Sequence, residues 1–164
     1  MKKQKNIIIK YSEVQNKLGV LLLENSKNDK DKFDGARYLK LSAEQGNIHG
    51  MCNYGMLLLN GYDYGIKKDI EKGKEYLKKS ADLDYSYAQI YYCCTLVENE
   101  PSPSEIQEAI YYIKESMKQN NAYSFYIYGI LIEEGKISGI DDNLAYDYFK
   151  RVLDMGYNQA KIKC

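Results

Sequence analysis

The sequence predicts an all-α fold: a solenoid of about four stacked helical hairpins, repeating every 36 to 38 residues. Three observations carry that expectation. Apolar clusters recur four times at helical spacing, and two columns of turn-forming residues recur in phase with them. Only Pro101 and Pro103 interrupt the 164 residues, so long stretches are free to be helical.

The first helix of each repeat, helix A, is marked by Leu18-Gly19, Tyr54-Gly55, Tyr92-Cys93 and Tyr128-Gly129, whose second members lie 36, 38 and 36 residues apart. Five residues before each second member stands Val14, Gly50, Ala88 or Ser124; three after it stands Leu22, Leu58, Leu96 or Ile132. These offsets fall on one face of a helix, which is the expected core face. Its small members let a neighbouring helix approach closely.

Helix B follows. Its start carries Asp31, Asp69, Glu105 and Asp141, and four residues later come Gly35, Gly73, Ala109 and Ala145. An aromatic–aliphatic or aromatic–aromatic step then recurs, each time followed by a cation: Tyr38-Leu39-Lys40, Tyr76-Leu77-Lys78, Tyr112-Ile113-Lys114 and Tyr148-Phe149-Lys150. Acids in front and cations behind suit the helix macrodipole. In the third repeat Ser102-Pro103-Ser104-Glu105 reads as N-cap, N1, N2 and N3 of a capped helix.

The punctuation is regular. Helix A ends at Asn25, Gly61, Asn99 and Gly135, and helix B at Gly46, Asp84, Asn120 and Gly156. All eight are Gly, Asn or Asp, the residues that best tolerate the left-handed backbone closing a helix. The second repeat is two residues longer because of its A–B loop, Gly61 to Lys68 (GYDYGIKK). One domain over 1–164 follows, with repeats at about 12–47, 48–85, 86–121 and 122–157. Residues 158–164 read as the start of a fifth repeat, with Ala160 on its small position, or as a cap. Three outcomes follow from that stub: a chain cut from a longer array, a lid, or an end covered by a second copy.

This hairpin reads small-x3-[Leu/Tyr]-Gly-x2-[Leu/Tyr]-x2-Gly, a loop, then Asp-x3-[Gly/Ala]-x2-Tyr-[Leu/Phe]-Lys-x-[Ser/Ala]-Ala-x2-Gly. It resembles the Sel1-like repeat, a relative of the tetratricopeptide repeat, over roughly Val14 to Gly156. The second repeat matches best, through GMCNYGMLLLNG and DIEKGKEYLKKSA. The third departs most, with Cys93 and Asn99 in place of Gly and a proline-containing turn. The resemblance implies a right-handed α–α superhelix, A helices on the concave side and B helices on the convex side.

On helix A the face opposite the core holds Asn16, Lys17 and Val20 in the first repeat. Next come Cys52, Asn53 and Met56; then Ile90, Tyr91 and Cys94; then Tyr126, Ile127 and Ile130. From the second repeat on, this stripe is largely apolar or aromatic. Contiguous apolar surface of that kind marks an interaction site. The expected site is a concave groove taking an extended segment or amphipathic helix of a partner protein, anchored on Met56, Ile90, Tyr91, Tyr126 and Ile130. The competing reading packs the same residues between successive A helices.

Other functions find little support. Lys plus Arg and Asp plus Glu number 23 each, and the resulting zero net charge argues against nucleic acid, whose binders need a basic stripe. Lys2, Lys3 and Lys5 read as a solvated tail. The longest apolar run, Leu18 to Leu23, is too short for a membrane span, and Ile7-Ile8-Ile9 for a signal peptide. Cys52, Cys93, Cys94 and Cys164 show no disulfide framework, which points to a reducing cytoplasmic or nuclear setting. Adjacent Cys93 and Cys94 diverge by about 100° on a helix, so they read as packing residues rather than metal ligands. His49, the one histidine, falls in a turn between repeats, and GYDYG lacks the strand and the Gly-Lys-Ser/Thr of a phosphate loop. Acid pairs at 133–134 and 141–142 sit at helix ends. No catalytic residues, cofactor or metal site are expected, and the chain reads as a scaffold or adaptor rather than an enzyme. The alternative is an inhibitor of the immunity type, which neutralises a toxin or enzyme by binding it. Copies of the chain would associate, if at all, through the terminal repeats.

Overall fold

The computed structural model describes residues 2–63, 65–137, 141 and 143–156, with side chains from Lys10 onward. Eight helices run through them: α1 (Lys2–Asn25), α2 (Asp29–Glu44), α3 (Ile48–Asn60), α4 (Ile70–Ala81), α5 (Ser86–Val97), α6 (Pro103–Lys118), α7 (Ala122–Glu133) and α8 (Asn143–Asp154). Extended pairing among the described residues is confined to one isolated bridge, Tyr62 with Ile66, inside the lengthened α3–α4 loop. The segment 158–164 with Ala160 and Cys164, and the side chains of Lys2, Lys3 and Lys5, lie outside what is described.

The chain divides into two compact units, 1–85 and 86–164, each made of two consecutive hairpins. In the first, α1 pairs with α2 and α3 with α4, and α3 also packs on α2 and α1. In the second, α5 pairs with α6 and α7 with α8, and α7 also packs on α6 and α5.

Why the hairpins close follows from their small residues. A Cβ on Gly19 would lie 2.8 Å from the carbonyl oxygen of Gly35, and one on Gly35 2.9 Å from that of Gly19. Gly55 and Gly73 repeat the relation at 3.0 Å in both directions. Backbone meets backbone there, and no side chain fits between. In the third hairpin Cys93 and Ala109 occupy these columns, both fully buried. In the fourth, Gly129 instead receives the Phe149 ring.

The tyrosines supply the second lock. Tyr54 meets Tyr76 edge to face at 5.3 Å, Tyr92 meets Tyr112 at 5.1 Å, and Tyr128 meets Tyr148 at 5.2 Å. Such pairs contribute about 0.5–1.5 kcal/mol beyond area burial. The first hairpin has Leu18 where the others have tyrosine and so lacks the contact.

A third repeat feature is polar. The buried hydroxyls of Ser42, Ser80 and Ser116 donate to the carbonyls of Ser12, Ile48 and Ser86, at 2.7, 2.7 and 3.1 Å. Each ties helix B to helix A of the same hairpin, midway along α1 and at the first residue of α3 and α5. The fourth hairpin puts Val152 in this column, buried without a hydroxyl. Two glutamine pairs add to this: Gln45 Nε2 donates to Gln15 Oε1 at 2.6 Å, and Gln119 Nε2 to Gln89 Oε1 at 3.1 Å.

The helix ends follow the chemistry of their residues. Seven of the eight punctuation residues have positive φ: Gly46, Gly61, Asp84, Asn99, Asn120, Gly135 and Gly156. Asn25 is the exception. It remains the last residue of α1 and its side-chain amide donates to the Leu21 carbonyl at 3.0 Å. The full capping box forms at Ser102 and Glu105, with Pro103 at N1. Asp31 and Glu105 serve at N3, whereas Asp69 is itself the N-cap of α4. The acids thus share a column without sharing a role.

Two core columns fail in the first hairpin. Val14 and Leu18 are 60% and 38% exposed, although their counterparts Gly50, Tyr54, Ala88, Tyr92, Ser124 and Tyr128 are all buried. In α3 this face is covered by α2, where Ser42 and Ala43 stand against Gly50. No described helix of the first unit plays that part for α1.

Candidate functional site

The A helices are enclosed more widely than four core columns suggest. Each touches its own B helix and, inside its unit, the neighbouring A helix as well. Cys52, Ile90 and Ile127, placed on the groove face by periodicity, are therefore buried, at 2%, 0% and 5% exposure. They offer a partner no surface in this conformation. The residues of the stripe that keep partial exposure are Asn53 and Met56 on α3, Tyr91 and Cys94 on α5, and Tyr126 and Ile130 on α7. On α1, Asn16 and Val20 are half-buried and Lys17 is exposed. The position just after the reference residue is accessible to some degree in every repeat. At the flanking positions helix–helix contact buries Cys52, Ile90 and Ile127 and leaves Asn16, Lys17, Asn53, Tyr91 and Tyr126 at least partly accessible.

Within the first unit the stripe is polar at one place. Asn53 Nδ2 donates to Asn16 Oδ1 at 2.9 Å, joining α3 to α1. An amide pair of this kind retains donor and acceptor capacity for a third group. Met56 and Val20 lie beside it on the same helices. Within the second unit the stripe is aromatic and aliphatic. The Tyr126 ring lies near-parallel to Tyr123 at 6.0 Å and tilted against Phe149 at 5.9 Å, so its orientation is set before any partner arrives.

His49 is on the first turn of α3, edge to face with Tyr85 at 4.6 Å. Burial pushes the Cys52 thiol up to about 12. Cys93 is fully buried and Cys94 half-buried, and none of these three cysteines forms a disulfide. Tyr54 and Tyr148 are raised too, first by burial and then by the neighbouring Tyr76 and Tyr128. No cluster of three or more His, Cys, Asp or Glu suited to a metal exists among the described residues. No described helix is long and apolar enough to cross a membrane.

The loop of the second repeat borders an open concavity of about 450 Å³, lined among others by Tyr54, Leu58, Ile66, Lys67, Lys68 and Lys72. Sequence reasoning assigned this loop no role. Its lysines are exposed, and Asp69 is engaged in capping α4, accepting from the Lys72 amide at 3.1 Å.

Comparison with known proteins places this architecture. The Sel1 repeat matches residues 12–47, 48–85 and 122–157, well over half of the chain. The chain belongs to the Sel1 repeat family. The unmatched stretch is the third hairpin, the one in which Cys93 and Ala109 replace the glycine pair. Two solved structures are similar. A protective antigen of uropathogenic Escherichia coli strains, described as displaying an SLR fold, aligns with TM-score 0.77 and 22% identity over 88% of this chain and 31% of its own. A Sel1 repeat protein from Oxalobacter formigenes aligns with TM-score 0.71 and 18% identity, over 88% of this chain and 58% of its own. At such identities the likeness establishes the all-α solenoid fold and nothing finer. The present chain spans about a third to three-fifths of those two proteins. No curated protein matches its sequence.

Proposed function

We propose that this Sel1 repeat chain is a non-catalytic scaffold that holds a partner protein against the exposed edge of its A helices. The observation that carries the proposal is the makeup of that edge in the second unit. Tyr91 and Cys94 on α5 and Tyr126 and Ile130 on α7 keep partial exposure, and all four are apolar or aromatic. Tyr126, held by the Tyr123 and Phe149 rings, gives large contact area at low entropic cost, the usual makeup of an interaction hot spot.

Taken by itself, the first unit offers the Asn16–Asn53 pair, whose amides suit the main chain of an extended segment. Partner classes follow from that chemistry: a peptide or helix with apolar anchors, rather than a basic enzyme or a nucleic acid. A reducing cytoplasmic setting goes with the reading, as its buried thiols take no part in disulfides.

The test is capture of the natural partner by the full chain carrying Tyr91→Ala and Tyr126→Ala together. Loss of capture with helical content retained supports the proposal. Undiminished capture refutes it. An exposed double substitution elsewhere, Tyr111→Ala with Tyr146→Ala, serves as the control that must leave capture intact.

A further inference from the structure

The uncovered face of α1 carries a second message. Tyr11, Val14, Leu18 and Leu21 are 60%, 60%, 38% and 56% exposed, spaced 3, 4 and 3 residues apart. That is the a/d spacing of a coiled-coil seam. The counterparts of Val14, Leu18 and Leu21 on α3 and α7, Gly50, Tyr54 and Leu57, and Ser124, Tyr128 and Leu131, are all buried, while those of Tyr11 are the half-buried N-caps Asn47 and Asn121. The repeat builds this face to be covered by a helix, and on α1 it is bare.

The charges indicate which helix covers it. The first turn of α1 contains no acid and its last turn no cation, the reverse of what the macrodipole favours. Lys10 and Lys17 flank the apolar stripe on one side, and Glu24 continues the same edge toward the C-terminal end; all three are exposed. An antiparallel copy of the same helix corrects both ends.

We infer that two copies of this chain pair through their α1 helices, antiparallel about a two-fold axis. Opposed a and d positions then match Tyr11 with Leu21 of the partner copy and Val14 with Leu18, and each match occurs twice by symmetry. The same register sets Lys10 beside Glu24 of the second copy, also twice, because edge positions of antiparallel seams face each other. A parallel arrangement would set Lys10 beside Gln15 and Lys17 beside Leu22, with no complementary charge. The antiparallel register brings the two Lys17 together at the dyad, its one like-charged contact.

The surface is distinct from the α5 and α7 edge proposed for the partner protein, so each can fail without the other. Sedimentation velocity on the full chain, from about 1 to 200 μM, reads the association directly. A concentration-dependent dimer is expected. Lys10→Glu or Glu24→Lys alone should weaken it at least about tenfold, since each sets like charges side by side twice. The two changes combined should restore it. Val14→Glu should abolish the dimer with the circular dichroism spectrum unchanged, and Lys17→Gln should tighten it. A monomer throughout the range overturns the inference. A dimer indifferent to Val14→Glu, or one that the double charge exchange fails to restore, overturns it equally.

Discussion

Replacing Gly19 with alanine tests whether backbone contact between α1 and α2 holds the first hairpin shut. Helix propensity alone favours the change by about 1 kcal/mol. Against it, the new Cβ would lie 2.8 Å from the Gly35 carbonyl oxygen and 2.8 Å from Cγ and Cδ2 of Leu39. The leucine is itself buried at 2% exposure, and the carbonyl belongs to helix backbone, so neither retreats without moving α2. Relief requires the helices to part by about half an ångström, which forfeits roughly a quarter of the dispersion well along the seam. Overpacking of this kind costs about 1–3 kcal/mol, and backbone opposition places it near the top of that range. The net expectation is a loss of about 2 kcal/mol. Urea unfolding followed at 222 nm should show a lower midpoint at unchanged slope, with Tm down by about 4–8 °C. Gly46→Ala is the contrast. There no atom lies within 4 Å, and the φ of +78° alone sets the penalty. If Gly19→Ala raises the midpoint, propensity outweighs contact and the close-approach account is wrong.

Two further outcomes follow from the same hairpin chemistry. Ser80→Ala removes the hydroxyl that donates to the Ile48 carbonyl and should lower stability by about 0.5–1.5 kcal/mol, whereas Val152→Ala, in the column without a hydroxyl, should act through lost packing only; calorimetry of the two separates the effects. The Cys52 thiol sits near 9 when unfolded and about 12 when folded, so the native state binds its proton more tightly. That contribution is complete below pH 9 and lost as pH rises toward 12, with a slope of about 1.4 kcal/mol per pH unit. Cys52→Ala should flatten the alkaline limb of a stability–pH curve, and an unchanged slope would assign that limb to the raised tyrosines instead.

Much of this architecture is legible in the residue order, for identifiable reasons. Gly, Asn and Asp at helix ends report a backbone requirement, so they mark boundaries whatever surrounds them. The Gly19–Gly35 and Gly55–Gly73 pairs likewise announce close approach, because only glycine fits. The tyrosine after each helix B glycine or alanine was visible as a column; that it would meet the helix A tyrosine edge to face was not, since ring geometry is set by the crossing of two helices. Ser42, Ser80 and Ser116 form an equally regular column that periodicity alone leaves mute. Their significance lies in a carbonyl some 30 residues earlier.

The candidate site was legible only in part, and the reason is geometric. A helical wheel locates the face opposite the core but assumes a core on one side. In stacked hairpins an A helix has neighbours on several sides, and Ile90, Cys52 and Ile127 disappear into them. Met56, Cys94 and Ile130 keep partial exposure. At the first repeat the same reasoning errs in the other direction. Val14 and Leu18 carry core residues in core columns, yet nothing described lies against them. Sequence specifies that such a face wants a helix without naming the molecule that brings it.

The central claim is that partners engage the α5 and α7 edge, and a photo-reactive side chain reads that contact most directly. Placed at position 126 in the intact chain, it is expected to crosslink the natural partner, while the same group at position 146, on the exposed face of α8, should crosslink none. Crosslinking from 146 with silence at 126 would contradict the account.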